Sequence, residues 1–174
     1  MSKSQQDLKT KIDLVRGFSL IEIIIASSVI LIVWIVVFYT FSVLTQFSSR
    51  SNSSIKASMI LEEGGEALRS LKDSSWTNNI APSSTCTDSY PCRLSYNTIS
   101  NLWTSTTSLI MIDNKFDRIF FLSAVNRDSN FNVVTSGGTI DQNSKKATVI
   151  VSWYQGNATT SQSLETYLFN DLNN

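Results

Sequence analysis

Residues 18–44 read FSLIEIIIASSVILIVWIVVFYTFSVL and contain one charged side chain, Glu22, with no glycine or proline. About twenty apolar residues in a helix are enough to cross the hydrocarbon core of a bilayer. The run is therefore long enough for a transmembrane helix. Because it lies close to the N-terminus, its flanks decide between a retained anchor and a cleaved signal sequence.

The sixteen residues at the N-terminus are polar and mainly basic, with Lys3, Lys9, Lys11 and Arg16. Basic residues ahead of a span predict a cytoplasmic N-terminus and an extracytoplasmic remainder. A secretory signal has a shorter apolar region, followed by a cleavage site of small residues. Neither feature occurs here. We therefore expect a single-pass membrane anchor that is uncut, or trimmed only at its N-terminus.

After residue 44 the helical pattern continues but becomes amphipathic, and Asp73-Ser74-Ser75 ends it. Gly64-Gly65 interrupts the pattern and predicts either a kink or a close approach of the following domain, at a cost of about 1 kcal/mol per glycine relative to alanine. The expected packing stripe recurs at spacings near three and four: Phe47, Ile55, Met59, Ile60, Ala67, Leu68 and Leu71.

The remaining residues favour β-structure. Residues 118–125 and 147–154 are rich in β-branched and aromatic side chains, and the second stretch alternates, with Ala147, Val149, Val151 and Trp153 on one face. The turn after Gln155 leads to a second alternating stretch, which predicts a terminal hairpin. Shorter strands are expected at 109–113 and 131–135.

These patterns predict an α+β fold in which the amphipathic half of a long N-terminal helix packs on a small antiparallel sheet. We expect four parts: a basic leader (1–17), a transmembrane or assembly helix (18–44), an amphipathic helix (45–75) and a β-rich extracytoplasmic head (76–174).

Composition excludes several function classes. The chain has no histidine and zero formal net charge, which removes histidine-based catalysis and any global electrostatic case for nucleic acid. Cys86 and Cys92 are too few for a thiolate zinc site without histidine, and they favour a disulfide in an oxidising compartment. We expect no enzymatic activity, no metal and no cofactor.

Two acidic segments superficially suggest a cation site. Asp128, Asn130 and Asn132 match the start of a calcium loop, but Val133 replaces its glycine, so we interpret the segment as a hairpin turn. Asp113 and Asp117 flank what we interpret as a solvated turn. The tryptophans of the head are expected in its core.

Glu22 is the unusual residue of the apolar run, because a carboxylate within an apolar span costs several kcal/mol unless it is paired. If the bond between Gly17 and Phe18 were hydrolysed, a positive amine would arise one helical turn from Glu22. Glu22 could then pair with the amine of a neighbouring chain and set the register between subunits. The alternative is that Glu22 reaches the headgroup region.

The segment Arg16-Gly17-Phe18-Ser19-Leu20-Ile21-Glu22 resembles the prepilin cleavage motif of type IV pilins and type II secretion pseudopilins. The resemblance implies cleavage after Gly17 by a prepilin peptidase, N-methylation of Phe18 and subunit assembly through Glu22. It also implies membrane lipid, other pilin or pseudopilin subunits and an inner-membrane assembly platform as partners, and a surface or periplasmic filament as the location. A span without proline or glycine departs from abundant pilins and favours a minor pilin or pseudopilin.

A second interpretation stays open at this stage. The chain would be a single-pass anchored extracytoplasmic binding module that does not join a filament. The two hypotheses differ in the mature N-terminus, which would begin at methylated Phe18 in a filament subunit and retain residues 1–17 in an anchored module.

Overall fold

A computed structural model describes residues 19–82 and 85–172. The chain forms two compact units that divide between Ser49 and Arg50. Gly17 and Phe18 lie outside the described residues.

Helix α1 extends over Leu20–Ser74, and its first part, up to Ser49, belongs to the N-terminal unit. The helix ends where the Asp73-Ser74-Ser75 segment predicted. Ser75 then caps the short helix α2 (Trp76–Asn79) by accepting a hydrogen bond from the backbone N–H of Asn78 at 3.2 Å.

The second unit holds an antiparallel sheet. Its strands are β1 (Cys92–Asn97), β2 (Leu102–Thr106), β3 (Met111–Ile112), β4 (Phe116–Arg127), β5 (Val133–Val134), β6 (Thr139–Gln155) and β7 (Ala158–Phe169). They are arranged in the order β2-β1-β4-β6-β7, with the two short strands β3 and β5 paired to β4. The fold is therefore α+β, as predicted, with a long N-terminal helix and an antiparallel sheet.

The predicted terminal hairpin is present as β6 and β7, joined by the two-residue loop Gly156-Asn157. Gly156 has a φ of 66°, a conformation that glycine adopts without a Cβ penalty. The β1–β2 hairpin was not predicted, because CRLSYN and LWTST are short and mostly polar at alternate positions. In the structure, Cys92 and Leu94 of β1 are buried, so this strand has a buried face that its sequence alone did not indicate.

The core of this unit lies between one face of the sheet and α1. Ala147, Val149, Val151 and Trp153 are all buried, which confirms the face predicted for β6. From α1 the core receives a stripe of mostly small and branched side chains at helical spacing: Ala57, Ile60, Leu61, Gly64, Leu68 and Leu71.

Part of the predicted helical stripe is wrong. Ile60, Ala67, Leu68 and Leu71 are buried, but Ile55 and Met59 are 53% and 63% exposed, and Phe47, in the other unit, is 70% exposed. Successive helical residues differ by about 100°, which places Ile55 opposite the Gly64 face. Several sets of residues on α1 have the spacing of three and four that is typical of one helix face. The set that packs on the sheet is the one that contains Ala57 and Gly64.

The Gly64-Gly65 pair marks a close approach rather than an interruption, since α1 continues through it. A Cβ atom on Gly64 would lie 3.0 Å from Cγ1 of Val149 and 3.1 Å from Cδ of Arg118. One on Gly65 would lie 3.3 Å from Cδ2 of Leu164. The two glycines therefore let the helix backbone come down onto β4, β6 and β7.

Candidate membrane and assembly segment

The first part of α1 presents apolar side chains on all sides. Every large apolar side chain from Leu20 to Leu44 is at least 48% exposed. Its most apolar 18-residue window has a mean hydropathy of 2.9, and none of that window is buried. The helix is long and apolar enough to cross a membrane, which is compatible with a single-pass anchor.

Three of the hydroxyl groups between Leu20 and Leu44 donate to carbonyls of the helix itself. Ser27 Oγ donates to the Ile24 carbonyl at 2.9 Å, Ser28 Oγ to Ile25 at 2.7 Å, and Thr40 Oγ1 to Val36 at 2.8 Å. Such bonds satisfy a hydroxyl where no water is available. These polar residues therefore do not prevent contact with lipid or with an apolar helix.

Glu22 is the single charged side chain between Ser19 and Ser49. It lies in the first turn of α1, where the helix dipole favours a negative charge, and its N–H donates to the Ser19 carbonyl at 2.9 Å. Its carboxylate makes no hydrogen bond or ion pair with residues 19–82 or 85–172. Within the described chain, the charge of Glu22 is uncompensated.

The predicted cleavage site, Gly17 and Phe18, is not among the described residues. Cleavage after Gly17 and N-methylation of Phe18 therefore stay predictions. The structure places Glu22 two residues after the start of α1 at Leu20.

In the head, Cys86 and Cys92 form a disulfide, and both residues are buried. The loop they close is pinned to the sheet, because the N–H of Leu122 donates to the Cys86 carbonyl at 2.9 Å. Within the loop, Thr87 and Tyr90 pair as an isolated β-bridge. The disulfide thus joins the segment before β1 to the first residue of β1, and the backbone hydrogen bond joins the same segment to β4.

The acidic turns use their carboxylates for local structure. Asp128 accepts backbone N–H groups from Asn130 at 2.8 Å and Asn132 at 2.9 Å, and the bond from Asn132 is the main cause that lowers the pKa of Asp128. This turn joins β4 to β5, in agreement with the hairpin interpretation. Asp113 pairs with Lys56 across the head.

Asp117 lies in β4 and forms a two-pronged ion pair with Arg93 of β1, at 2.7 and 2.9 Å. Asp117 is the main cause that raises the pKa of Arg93. The part of the chain described by the structure contains no group of three or more His, Cys, Asp or Glu residues placed to hold a metal ion.

Two arginine clusters, one around the buried Arg118 and one around the half-buried Arg127, were missed by sequence reasoning. Arg118, only 4% exposed, pairs with Glu63 at 3.1 Å and donates to the Ile60 carbonyl at 3.3 Å, and its guanidinium lies 5.3 Å from the Trp103 ring centre. It occupies the core-facing side of an alternating strand, which is the one local sign that this arginine is buried.

Arg127 lines a cleft of about 530 Å³ at one end of the sheet. It donates to Asp141 at 2.6 Å, to the Phe131 carbonyl at 2.8 Å and to Ser144 at 3.0 Å. A register shift between β4 and β6 brings Asp141 and Ser144 to this position. A hydrogen bond from Ser144, followed by the bond from Arg127, lowers the pKa of Asp141. The cleft therefore presents a structural ion pair.

Two features of the chain are thus suited to interaction with other molecules. One is an exposed apolar helix with an uncompensated Glu22, and the other is a head that contains a sheet and an internal disulfide. In the head, the carboxylates of Asp117, Asp128 and Asp141 are occupied by neighbouring groups. Comparisons of the chain with protein-family models, with curated proteins and with solved structures found no match.

Proposed function

We propose that this chain is a minor subunit, a minor pilin or pseudopilin, of a type IV pilus-like or type II secretion filament. A prepilin peptidase would remove residues 1–17, and the helix that begins near Phe18 would then join a helical bundle. The observation that carries the proposal is the uncompensated carboxylate of Glu22 at the start of an apolar helix, five residues after Gly17.

The charge of Glu22 gives a physical reason for assembly. A single carboxylate in hydrocarbon costs several kcal/mol, and cleavage would create a positive amine on Phe18. Pairing Glu22 of one chain with the amine of its neighbour offsets both penalties, whereas an incorrect axial register leaves both charges unpaired. The pair would therefore specify register as well as hold subunits together.

The disulfide supports an extracytoplasmic head. Disulfides persist in oxidising compartments and are rare in the cytoplasm, so Cys86–Cys92 fits a head outside the inner membrane. The basic leader fits a cytoplasmic N-terminus, where a peptidase and an assembly platform would act. Before assembly the span would be in contact with lipid, and after assembly with the helices of other subunits.

The alternative, an anchored binding module that stays in the membrane, makes an opposite prediction about the N-terminus. Mass spectrometry of the mature chain tests both. The filament proposal expects a chain that begins at N-methylated Phe18. A mature chain that retains residues 1–17 contradicts the filament proposal and supports the anchored module.

A second experiment tests Glu22 directly. We expect Glu22→Ala to lower incorporation into filaments at least tenfold while membrane insertion stays normal, because removal of the charge makes the span more apolar. Ser28→Ala is the matched control, since it removes a polar group that is satisfied within its own helix. Unchanged incorporation of Glu22→Ala would contradict the proposed pairing of Glu22 with the amine of a neighbouring chain.

A further inference from the structure

β7 is the outermost strand on one side of the sheet, and its outward side, the β7 edge, has no neighbouring strand among the described residues. The strand is 12 residues long, from Ala158 to Phe169. Its pairing with β6 continues without a register shift from the Gln155–Ala158 pair to the Ser144–Phe169 pair. The β7 edge is therefore long and regular.

The hairpin geometry shows which backbone groups face outward. A two-residue loop places Gln155 and Ala158 in a hydrogen-bonded pair, and bonded pairs then recur at every second residue. Asn170 continues this series, because its N–H donates to the Asn143 carbonyl at 3.0 Å. The odd-numbered residues consequently point their N–H and C=O groups away from β6: Thr159, Ser161, Ser163, Glu165 and Tyr167.

These outward backbone groups have no partner in the part of the chain that the structure describes. From Thr159 to Tyr167 they span roughly 27 Å at 3.4 Å per residue. A segment of about eight residues in extended conformation would match this ladder. The chemistry of the edge therefore specifies a β-strand as its ligand.

The β7 edge lacks the features that normally prevent strand addition. Proteins protect free edges with proline, lysine, bulges or very short strands, and β7 has none of these. Its single charge, Glu165, bonds to Lys146 of β6 at 2.8 Å. That ion pair directs the carboxylate toward β6, and it balances the charge of Glu165 with a neighbouring positive charge.

The helix beside the edge is polar. Gln162 of β7 exchanges hydrogen bonds with two serines of α1: its Nε2 donates to Ser54 Oγ at 2.8 Å, and its Oε1 accepts from Ser58 Oγ at 3.1 Å. A strand added at the edge would place alternate side chains toward this hydroxyl-bearing flank. We expect those side chains to be small or polar.

We infer that the β7 edge is a docking site for an extended segment from the head of a different subunit, which joins the sheet as an additional strand. The inference rests on the proposed function, because it places this contact within the filament. The backbone ladder would supply affinity, and the serine flank would select among segments.

The geometry of sheets argues against a second copy of this chain as the occupant. Two β7 strands paired antiparallel are related by a twofold axis normal to the sheet, so the α1 helices on the two sheets would run in opposite directions. Subunits drawn from one bilayer share one orientation. Joining β7 to the β2 edge of a copy would pair a strand of 12 residues with one of 5, which would leave most of the outward backbone groups of β7 without a partner.

Site-resolved amide hydrogen exchange tests the inference on the full chain. In detergent, the amides of Ser161, Ser163 and Glu165 should exchange rapidly, whereas those of Gln162 and Leu164, bonded to β6, should be protected. In purified filaments we expect exchange at the three odd-numbered amides to slow at least tenfold. Equal exchange in both states overturns the inference and leaves the proposed function intact.

A variant pair tests the same contact by assembly. Ser163→Pro removes an outward N–H and no bond to β6, so edge strands tolerate it. We expect its incorporation into filaments to fall at least tenfold, while Ser163→Val, which keeps the N–H, incorporates normally. Normal incorporation of a folded Ser163→Pro variant refutes the contact; if that variant fails to fold, the exchange experiment decides. A chain found in membranes but never in filaments overturns both proposals.

Discussion

Gly64 of α1 lies so close to Val149 of β6 that a Cβ atom on the glycine would make a tighter contact than side chains normally make. A Cβ on Gly64 would lie 3.0 Å from Cγ1 of Val149, which is fully buried and stiff at χ1. On its other side, Cδ of Arg118 would lie 3.1 Å away. The helix is held against the sheet at this point.

Gly64→Ala should therefore destabilise the head. Overpacking costs typically 1–3 kcal/mol, and the better helix propensity of alanine returns about 1 kcal/mol, so we expect a net loss of about 1 kcal/mol. Urea unfolding of the full chain in detergent, followed by tryptophan fluorescence, measures it. Gly65→Ala is the control: its one contact, at 3.3 Å, is with the flexible end of Leu164, so it should be neutral or slightly stabilising.

Arg118 should contribute more through packing than through its charge. Its Nε has no hydrogen-bond partner among the described residues, so part of its desolvation cost is not recovered. We expect Arg118→Ala to destabilise by about 2–4 kcal/mol through a cavity beside Gly64, and Arg118→Met to cost less than about 1 kcal/mol. Denaturant midpoints compare the two. Equal losses would show that the ion pair with Glu63 is the main contribution.

Reduction of the disulfide should loosen the head. The bond closes a loop with a sequence separation of 6 residues, for which the chain-entropy relation gives about 2 kcal/mol. Adding reductant should lower the denaturant midpoint accordingly. The double variant Cys86→Ala/Cys92→Ala should start at the lower midpoint and show no response to reductant; a response would indicate that reductant acts elsewhere.

The Asp141 cluster should make the head acid-sensitive. Bonds from Ser144 and Arg127 lower the pKa of Asp141 in the folded state, so this group adds stability above its unfolded pKa, about 3.9. That contribution is lost as pH falls from about 4 through the folded pKa. Near pH 7, Asp141→Asn should cost about 1–3 kcal/mol, the usual loss for a charged hydrogen bond.

Unfolding curves of the wild type and Asp141→Asn between pH 7 and pH 2 check this dependence. The difference between the two proteins should shrink as pH falls below about 4. A constant difference would mean that the asparagine disturbs packing rather than a charge. Asp128→Asn serves as a comparison for Asp141→Asn. It also replaces a carboxylate by an amide, but the asparagine carbonyl can still accept the backbone hydrogen bonds of that turn.

The apolar helix, the isolated Glu22 and the end of α1 could be read from residues 18–75, because each depends on composition or period within one continuous segment. The buried face of β6 and the terminal hairpin were predictable for the same reason: period-two alternation and a glycine-containing two-residue loop are local properties. The two cysteines allowed one intramolecular pairing. All of these features can be recognised in the amino-acid sequence without knowledge of the tertiary structure.

Tertiary structure alone decided which stripe of α1 is buried and what Gly64-Gly65 is for. Ile55 and Met59 are apolar and correctly spaced, yet they face outward, because close contact with β6 needs the helix face that carries Gly64. The free β7 edge and the burial of Arg118 likewise depend on which strands become neighbours. The spacing of apolar residues within a segment indicates whether that segment is a helix or a strand. Which face of it packs depends on the shape of another surface, formed by residues distant in sequence.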